Sequence, residues 1–249
     1  MGFLVNMFLN SVMENLLSIE NLSKSYNGLQ VVKNVSFSVC EGKITALIGE
    51  NGAGKTTLFN LITGVEKQDE GKIFFEGKEI DKLSAVKRSR AGVERMFQSP
   101  RVFKNQNVID NLLAGVHGHP GESIVNYLIK PKAIKIAEQE NREKAIKILH
   151  TLQLQDYKNE MAGTLSYGQK KLLALGQLLM NNAKLILLDE PFSGLYPSMV
   201  YKIKEILINL TKEGKTFIII EHKVKMLKKM SDHVLKMREG TIIEDKQIN

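Results

Sequence analysis

The sequence predicts an α/β fold, a mostly parallel β-sheet covered by helices on both faces, and three observations carry that prediction. After residue 180 the chain reads strand, helix, strand, helix, strand: "KLILLDE", "PSMVYKIKEILINLTKEGK", "TFIIIEH", "KVKMLKKMSD" and "HVLKM". Continuous apolar strands alternating with helices of that length belong to parallel sheets, because each crossover lays a helix on a face. Near the N-terminus, short apolar runs are separated by "NG" and "EG" turn signals, which marks an N-terminal antiparallel β subdomain. From Val108 to about Asp156 apolar residues recur near 3.6 spacing among many charges, so an α-helical subdomain is inserted at about residues 100–165.

Taken in order, "MGFLVNMFLNSV" lacks the basic region and small-residue cleavage site of a signal peptide. Residues 1–15 are expected to be an extension outside the core, with Met1 or Met13 as the start, and residues 16–249 one domain. "LLSIENL" and "VKNVSFSV" then form the β layer, and "KITALIG" is a buried strand. "TTLFNLITG" follows as a helix, "MFQSPRVF" leads into the helical insertion, and "HGHPGES" is a polar loop broken by Gly and Pro. "KAIKIAEQENREKAIKILHTLQL" is a long amphipathic helix, and the loop "LSYGQKK" opens another before "LILLDEP" returns to strand. No internal repeat and no low-complexity segment interrupts the chain.

A chain of 249 residues with 43% apolar content can fill a substantial core. The net charge of +8 is spread through the sequence, with no compact Lys/Arg block and no interleaved aromatic platform, so no nucleic-acid partner is expected. The single cysteine, Cys40, excludes an intrachain disulfide and reads as a small core residue. No apolar run approaches the roughly 20 residues of a membrane span.

Chemistry enters at "GENGAGKTT", which satisfies G-x-x-x-x-G-K-[ST] with Gly49, Gly54, Lys55 and Thr56. The buried strand "ITALI" precedes it and a helix follows, which is the context a phosphate-binding loop needs. Gly49, Gly52 and Gly54 admit backbone angles that let successive amides turn toward one anion, and the helix N-terminus adds partial positive charge. Lys55 then reaches the β and γ phosphates of ATP, and Thr56 holds Mg²⁺. Asn51, Ala53 and Thr57 complete the nucleotide-binding loop. This loop makes the fold a P-loop NTPase core.

"LILLDEP" ends a fully buried strand in Asp189 and Glu190. Alone, such a pair is an ordinary solvated strand end; beside a phosphate loop, Asp189 suits a metal partner and Glu190 suits polarising the attacking water. Further polar groups are expected on the γ-phosphate. His222 follows the apolar strand of "TFIIIEHK", and Gln98 in "MFQSPRVF" is placed to touch Mg²⁺ or water. His117, His119, His150 and His233 receive no chemical role, the last two having no partner that the sequence identifies.

These features together resemble the ATP-binding subunits of ABC transporters, from about Leu16 to Asp245, in the family's own order. That order is Tyr26, the loop from Gly49 to Thr57, Gln98, "LSYGQ" at Leu165 to Gln169, "LILLDE", "SGL" at Ser193 to Leu195, and His222. The resemblance implies that Tyr26 meets the adenine. It also implies that Ser166, Gly168 and Gln169 face the γ-phosphate of a partner subunit across a head-to-tail dimer, which explains why "LSYGQKK" carries no nucleophile. The implied reaction is ATP hydrolysis, with a second ABC ATPase subunit and transmembrane permease subunits as partners and an extracytoplasmic substrate-binding protein as an indirect one. The second ATPase subunit is either a different chain or another copy of this one. The implied place is the cytoplasmic face of the cell membrane, held peripherally.

Within the family, "GTLSYGQKK" with Tyr167, "AGVHGHPGES", "LLDEPFSGLYP" and "IIIEHKV" are most like the ATPases of branched-chain amino-acid importers, the LivG type. Two features depart from the pattern: Tyr196 stands where the wider family most often has Asp and this branch usually Asn, and "VID" places its acidic residue at Asp110 beside Asn111. Other cargoes, urea or amides or exported lipid, fit the same ATPase. A soluble ABC ATPase on ribosomes or DNA, or a nucleotide kinase or GTP switch, accounts for fewer of the motifs.

Overall fold

The structure is a computed structural model and describes residues 15–117, 131–221 and 224–248. Two compact units emerge, Met1–Arg88 with Leu210–Asn249, and Ser89–Asn209.

In the first unit, strand β1 (Asn15–Tyr26) turns into β2 (Leu29–Cys40) through Asn27 and Gly28, whose φ values are 50° and 83°. Two consecutive positive φ angles give the turn a twist that matches paired strands, so the "NG" signal forms the hairpin it predicts. β1 also pairs antiparallel with β4 (Glu70–Phe75), which carries the short β5 (Lys78–Glu79), in the order β2-β1-β4-β5. Leu17, Ile19 and Leu22 of β1 are buried, as are Val32, Val35 and Val39 of β2.

The other sheet of this unit is built on β3 (Ile44–Ile48), in which every residue is buried. β3 lies between β8 (Thr216–Ile220) and β9 (His233–Arg238), parallel to both, with Thr45 opposite Ile218 on one side and His233 on the other. β10 (Thr241–Gln247) closes antiparallel on β9. Strands far apart in sequence are clasped by side chains: Gly42 N donates to Thr216 Oγ1 at 2.9 Å and Ile44 N to Asp232 Oδ2 at 2.9 Å. His233, which the sequence left without a partner, bonds Asp245 Oδ1 through Nε2 at 2.6 Å across the β9–β10 pair. Cys40 is half-buried at the last position of β2 rather than in the core.

Helix α1 (Lys55–Thr63) buries Leu58, Phe59, Leu61 and Ile62 and stops at Gly64, φ 72°. Its last carbonyls are met by Arg88, which is 1% exposed and donates from Nη1 to Leu61 O at 2.7 Å and Ile62 O at 2.9 Å. A Cβ on Gly64 would stand 2.8 Å from Arg88 Nε, so the left-handed cap and the arginine require glycine together. Arg88 lies in the short helix α2 (Ala85–Ala91).

In the second unit β6 (Val93–Met96) runs parallel to β7 (Leu185–Asp189), with Arg95 opposite Leu187. The helices are α3 (Val108–Leu113), α4 (Pro131–Thr151) and α5 (Tyr167–Met180). They pack closely at Gly176, where a Cβ would lie 2.7 Å from Leu112 Cδ2 of α3 and 3.3 Å from Ile148 Cγ2 of α4. Asn111 is fully buried and ties the approach to α3, accepting from Phe103 N at 2.7 Å and donating to Phe103 O and Asn107 O at 3.0 Å each. Asp110 beside it is exposed, so of the unusual "VID" neighbourhood it is Asn111 that organises the loop. The helix expected at "NVIDNLLAGV" is α3, which closes after six residues, and the "HGHPGES" loop lies, beyond His117, outside the described residues. Helices α6 (Pro197–Lys212) and α7 (Val224–Met230) follow, and no described helix is long and apolar enough to cross a membrane.

Candidate nucleotide site

The glycine-rich loop sits at the C-terminal end of β3, where a parallel strand opens toward ligand. Gly52 and Gly54 have φ of 80° and 100°, and the chain enters α1 with Gly54 as a left-handed cap. Beyond Gly52 a Cβ would meet nothing within 4 Å, whereas one on Gly49 would meet Met237 O at 2.3 Å and one on Gly54 would meet Val31 O at 2.5 Å. The loop is therefore pressed against backbone on one side and open on the other. Lys55 is 7% exposed and donates to Gly49 O at 2.8 Å and Glu50 O at 2.7 Å, so its ammonium lies inside the curl of the loop.

The first helical amide bond is Leu58 N to Gly54 O at 2.9 Å, so the amides of Thr56 and Thr57 lie ahead of the ladder. No side chain caps this N-terminus and no acidic residue stands in the first turn. The sequence leaves that end to an anion. Thr56 and Asn51 are exposed and Ala53 is buried beneath. The donor set, an ammonium with helix amides and a hydroxyl, fits a nucleotide's phosphates and an oxygen-coordinated cation. Tyr26, 39% exposed, ends β1 beside Lys24, whose Nζ is 5.6 Å from the ring centroid. Lys24 bonds Asp69 Oδ1 at 2.8 Å, and that contact holds the Asp69 carboxyl below its usual pKa.

In the second unit, the end of β7 delivers Asp189 and Glu190. Asp189 Oδ2 accepts from Arg95 Nη2 at 2.8 Å across the β6–β7 pair. Glu190 has φ 49°, the left-handed region that side-chain-bearing residues seldom adopt, and its Oε2 accepts from Gln98 Nε2 at 2.8 Å. Two of the residues singled out for water and metal chemistry, Gln98 and Glu190, are thus in contact. Farther back in β6, burial pushes the Glu94 carboxyl up, against the bond it accepts from Ser89 Oγ at 2.7 Å and the nearby charge of His117.

Ser166 caps α5: Gln169 N donates to Ser166 Oγ at 3.3 Å and Ser166 N donates to Gln169 Oε1 at 2.8 Å, a complete capping box. The serine hydroxyl hydrogen remains available to an external acceptor. Gly168 is held against α6, since a Cβ there would lie 2.5 Å from Met199 Cγ. His222 lies outside the described residues. Among the described residues no group of three or more His, Cys, Asp or Glu is placed to hold a metal ion. Two participants escaped the sequence reading. Arg95 pairs with a residue 94 positions away, and no local signal announces it. Lys171 had a signal: it interrupts the buried stripe Gly168, Leu172, Leu175, Leu179 of α5.

A phosphate loop between buried strand and helix, and a carboxylate pair ending a second buried strand, define an ATPase of the P-loop class. The ABC transporter family profile matches residues 32–193. A probable branched-chain amino acid transport ATP-binding protein LivG of Methanocaldococcus jannaschii is 40% identical over 230 residues, 92% of this chain and 89% of the relative. The high-affinity branched-chain amino acid transport ATP-binding protein BraF of Pseudomonas aeruginosa is 35% identical, over 92% of this chain and 91% of its own length. Among solved structures, the ADP conformation of an ATP-binding cassette of an ABC transporter superposes with TM-score 0.82 at 40% identity, covering 94% of this chain and 91% of that one. A nucleotide-free ATP-binding cassette from an ABC transporter gives 0.81 at 38% identity, covering 94% and 92%. The chain belongs to the ABC transporter family, as an ATP-binding, ATP-hydrolysing subunit.

Proposed function

We propose that this chain hydrolyses ATP to energise import of branched-chain amino acids, working at the cytoplasmic face of the membrane on permease subunits fed by an extracytoplasmic binding protein. The cargo reading is supported by relatives named for branched-chain amino acid transport across nine-tenths of the chain. In this reading residues 16–249 act as one ATPase domain.

The observation that carries the mechanism is the contact of Gln98 with Glu190 at 2.8 Å, because it holds a carboxylate in a fixed pose at the end of a buried strand. Lys55 and the amides from Gly52 to Thr57 bind the phosphates, and Tyr26 stacks on the base. Thr56, Gln98 and Asp189 would hold the metal, and Arg95, donating to Asp189 Oδ2, orients that carboxylate. The chemistry Mg²⁺ would supply when held there is neutralisation of charge on the phosphate oxygens. Glu190 accepts a proton from the attacking water, His222 steadies the γ-phosphate, and Ser166, Gly168 and Gln169 complete the site of a second ATPase subunit.

The test is uptake of labelled leucine in cells carrying Glu190→Gln at wild-type protein level. Loss of uptake is expected, with ATP binding to the purified variant retained. Undiminished leucine uptake, with the variant still bound to its permease, would assign another cargo such as urea or an amide.

A further inference from the structure

Lys171 is 2% exposed, and a buried ammonium is costly unless its donors are met. Here they are met by one turn: Nζ donates to Glu190 O at 3.0 Å, Pro191 O at 3.1 Å and Ser193 O at 3.0 Å. Carbonyls within four consecutive residues converge on a single nitrogen, which fixes the shape of the turn. That turn begins at Glu190 with its left-handed backbone, a conformation that persists only where the surroundings hold it. One helical turn earlier, the ring of Tyr167 lies 5.2 Å from the same ammonium, and its hydroxyl donates to Gln98 O at 3.4 Å. Gln98 in turn donates to Glu190 Oε2. The start of α5 therefore touches Glu190 by two routes, its main chain through Lys171 and its side chain through Gln98.

We propose that Lys171 is a positioning residue for hydrolysis, holding the turn from Glu190 to Ser193 so that the Glu190 carboxylate stays at the attacking water. The consequence rests on the function proposed above. If the N-terminus of α5 serves a partner's phosphate, the same rigid helix holds this chain's own carboxylate, and occupancy of one site of the dimer is felt at the other.

The test uses the full chain with Mg²⁺ and ATP, measuring steady-state hydrolysis and equilibrium binding of a fluorescent ATP analogue. Lys171→Met keeps the aliphatic stem and removes the charge. Its kcat should fall by about 30-fold or more, as expected for a misplaced catalytic group, with nucleotide Kd and KM within about twofold. Lys171→Arg restores a cation beside the carbonyls and should recover the rate to within about fivefold. The decisive readout is the Glu190→Gln background under single-turnover conditions, where adding Lys171→Met should slow the residual reaction by less than about threefold, because residues acting as a unit are not additive.

A Lys171→Met rate equal to wild type, or a full 30-fold loss retained in the Glu190→Gln background, overturns the positioning role. A Glu190→Gln enzyme as fast as wild type removes the carboxylate's own role, and that failure is distinct because it appears without touching Lys171. Should Lys171→Met not fold, Lys171→Gln takes its place with the same two outcomes.

Discussion

Lys55 and Glu94 are both charged groups drawn into the interior, and the difference between them is instructive. Lys55 lies inside its loop on two carbonyls, so a bound phosphate would gain a pre-placed cation without ordering a long side chain. Lys55→Ala should raise the Kd for ATP by at least about tenfold, equivalent to 1.4 kcal/mol, in equilibrium titration; unchanged affinity would remove the lysine from the phosphate site. Glu94 is instead a burden at neutral pH. Burial raises its pKa in the folded chain above the unfolded value of 4.5, so the folded state binds the proton more tightly. Stability is then undiminished below pH 4.5 and falls as pH rises through that value and beyond. Glu94→Gln keeps an oxygen for the Ser89 hydroxyl and should raise Tm by about 2 °C or more at pH 7.5. The gain should disappear at pH 4, and a gain that is the same at both pH values would show that ionisation of Glu94 is not its source.

At the scale of elements, α1 begins and ends under opposite constraints. Its N-terminus is left uncapped, while its C-terminus is finished by Gly64 and by Arg88 on the Leu61 and Ile62 carbonyls. Burial lowers the affinity of Arg88 for its proton, yet four carbonyl contacts, with Leu83 O and Asp81 O completing the set, keep a cation there. Arg88→Ala would strip buried carbonyls of their donor and should cost about 3 kcal/mol, seen as a fall of about 6–12 °C in Tm by circular dichroism. Arg88→Lys should recover only part of it, since an ammonium cannot span acceptors that a planar fork reaches together. Much of this scale was legible in advance. The "NG" turn, the predominantly apolar β3, β7 and β8, and the glycine loop before α1 all follow from local chemistry that tertiary structure reinforces. What escaped were side-chain pairings set by which strands lie side by side. Arg95 finds Asp189 because β6 lies beside β7, and His233 finds Asp245 because β10 folds back on β9. Lys171 falls between the two cases: a lysine on an apolar stripe asks for buried acceptors, but only the fold says that they belong to the Glu190 turn.

For the whole molecule, the α5 N-terminus poses a question of stoichiometry. Ser166 and Gln169 form a complete capping box, so the loop needs no ligand to be ordered, and its remaining hydroxyl donor and helix amides suit an anion supplied from outside. If that anion is the γ-phosphate on another subunit, ATP is the adhesive of a dimer, and the dimer lasts as long as the nucleotide is intact. Glu190→Gln, slowed in hydrolysis with the phosphate loop untouched, should then show a doubled mass by light scattering in ATP and Mg²⁺ and a single-chain mass in ADP. Ser166→Arg added to that variant should return it to single-chain mass while ATP binding persists, since the arginine blocks only the donated half of the site. A doubled mass that persists in ADP, or that survives Ser166→Arg, would place the contact elsewhere on the surface. Mixing the variant with a co-purified second ATPase subunit separates the two stoichiometries. Preference for that partner over self-association would fit the exposed Tyr196, 83% accessible, as a surface shaped for an unlike neighbour.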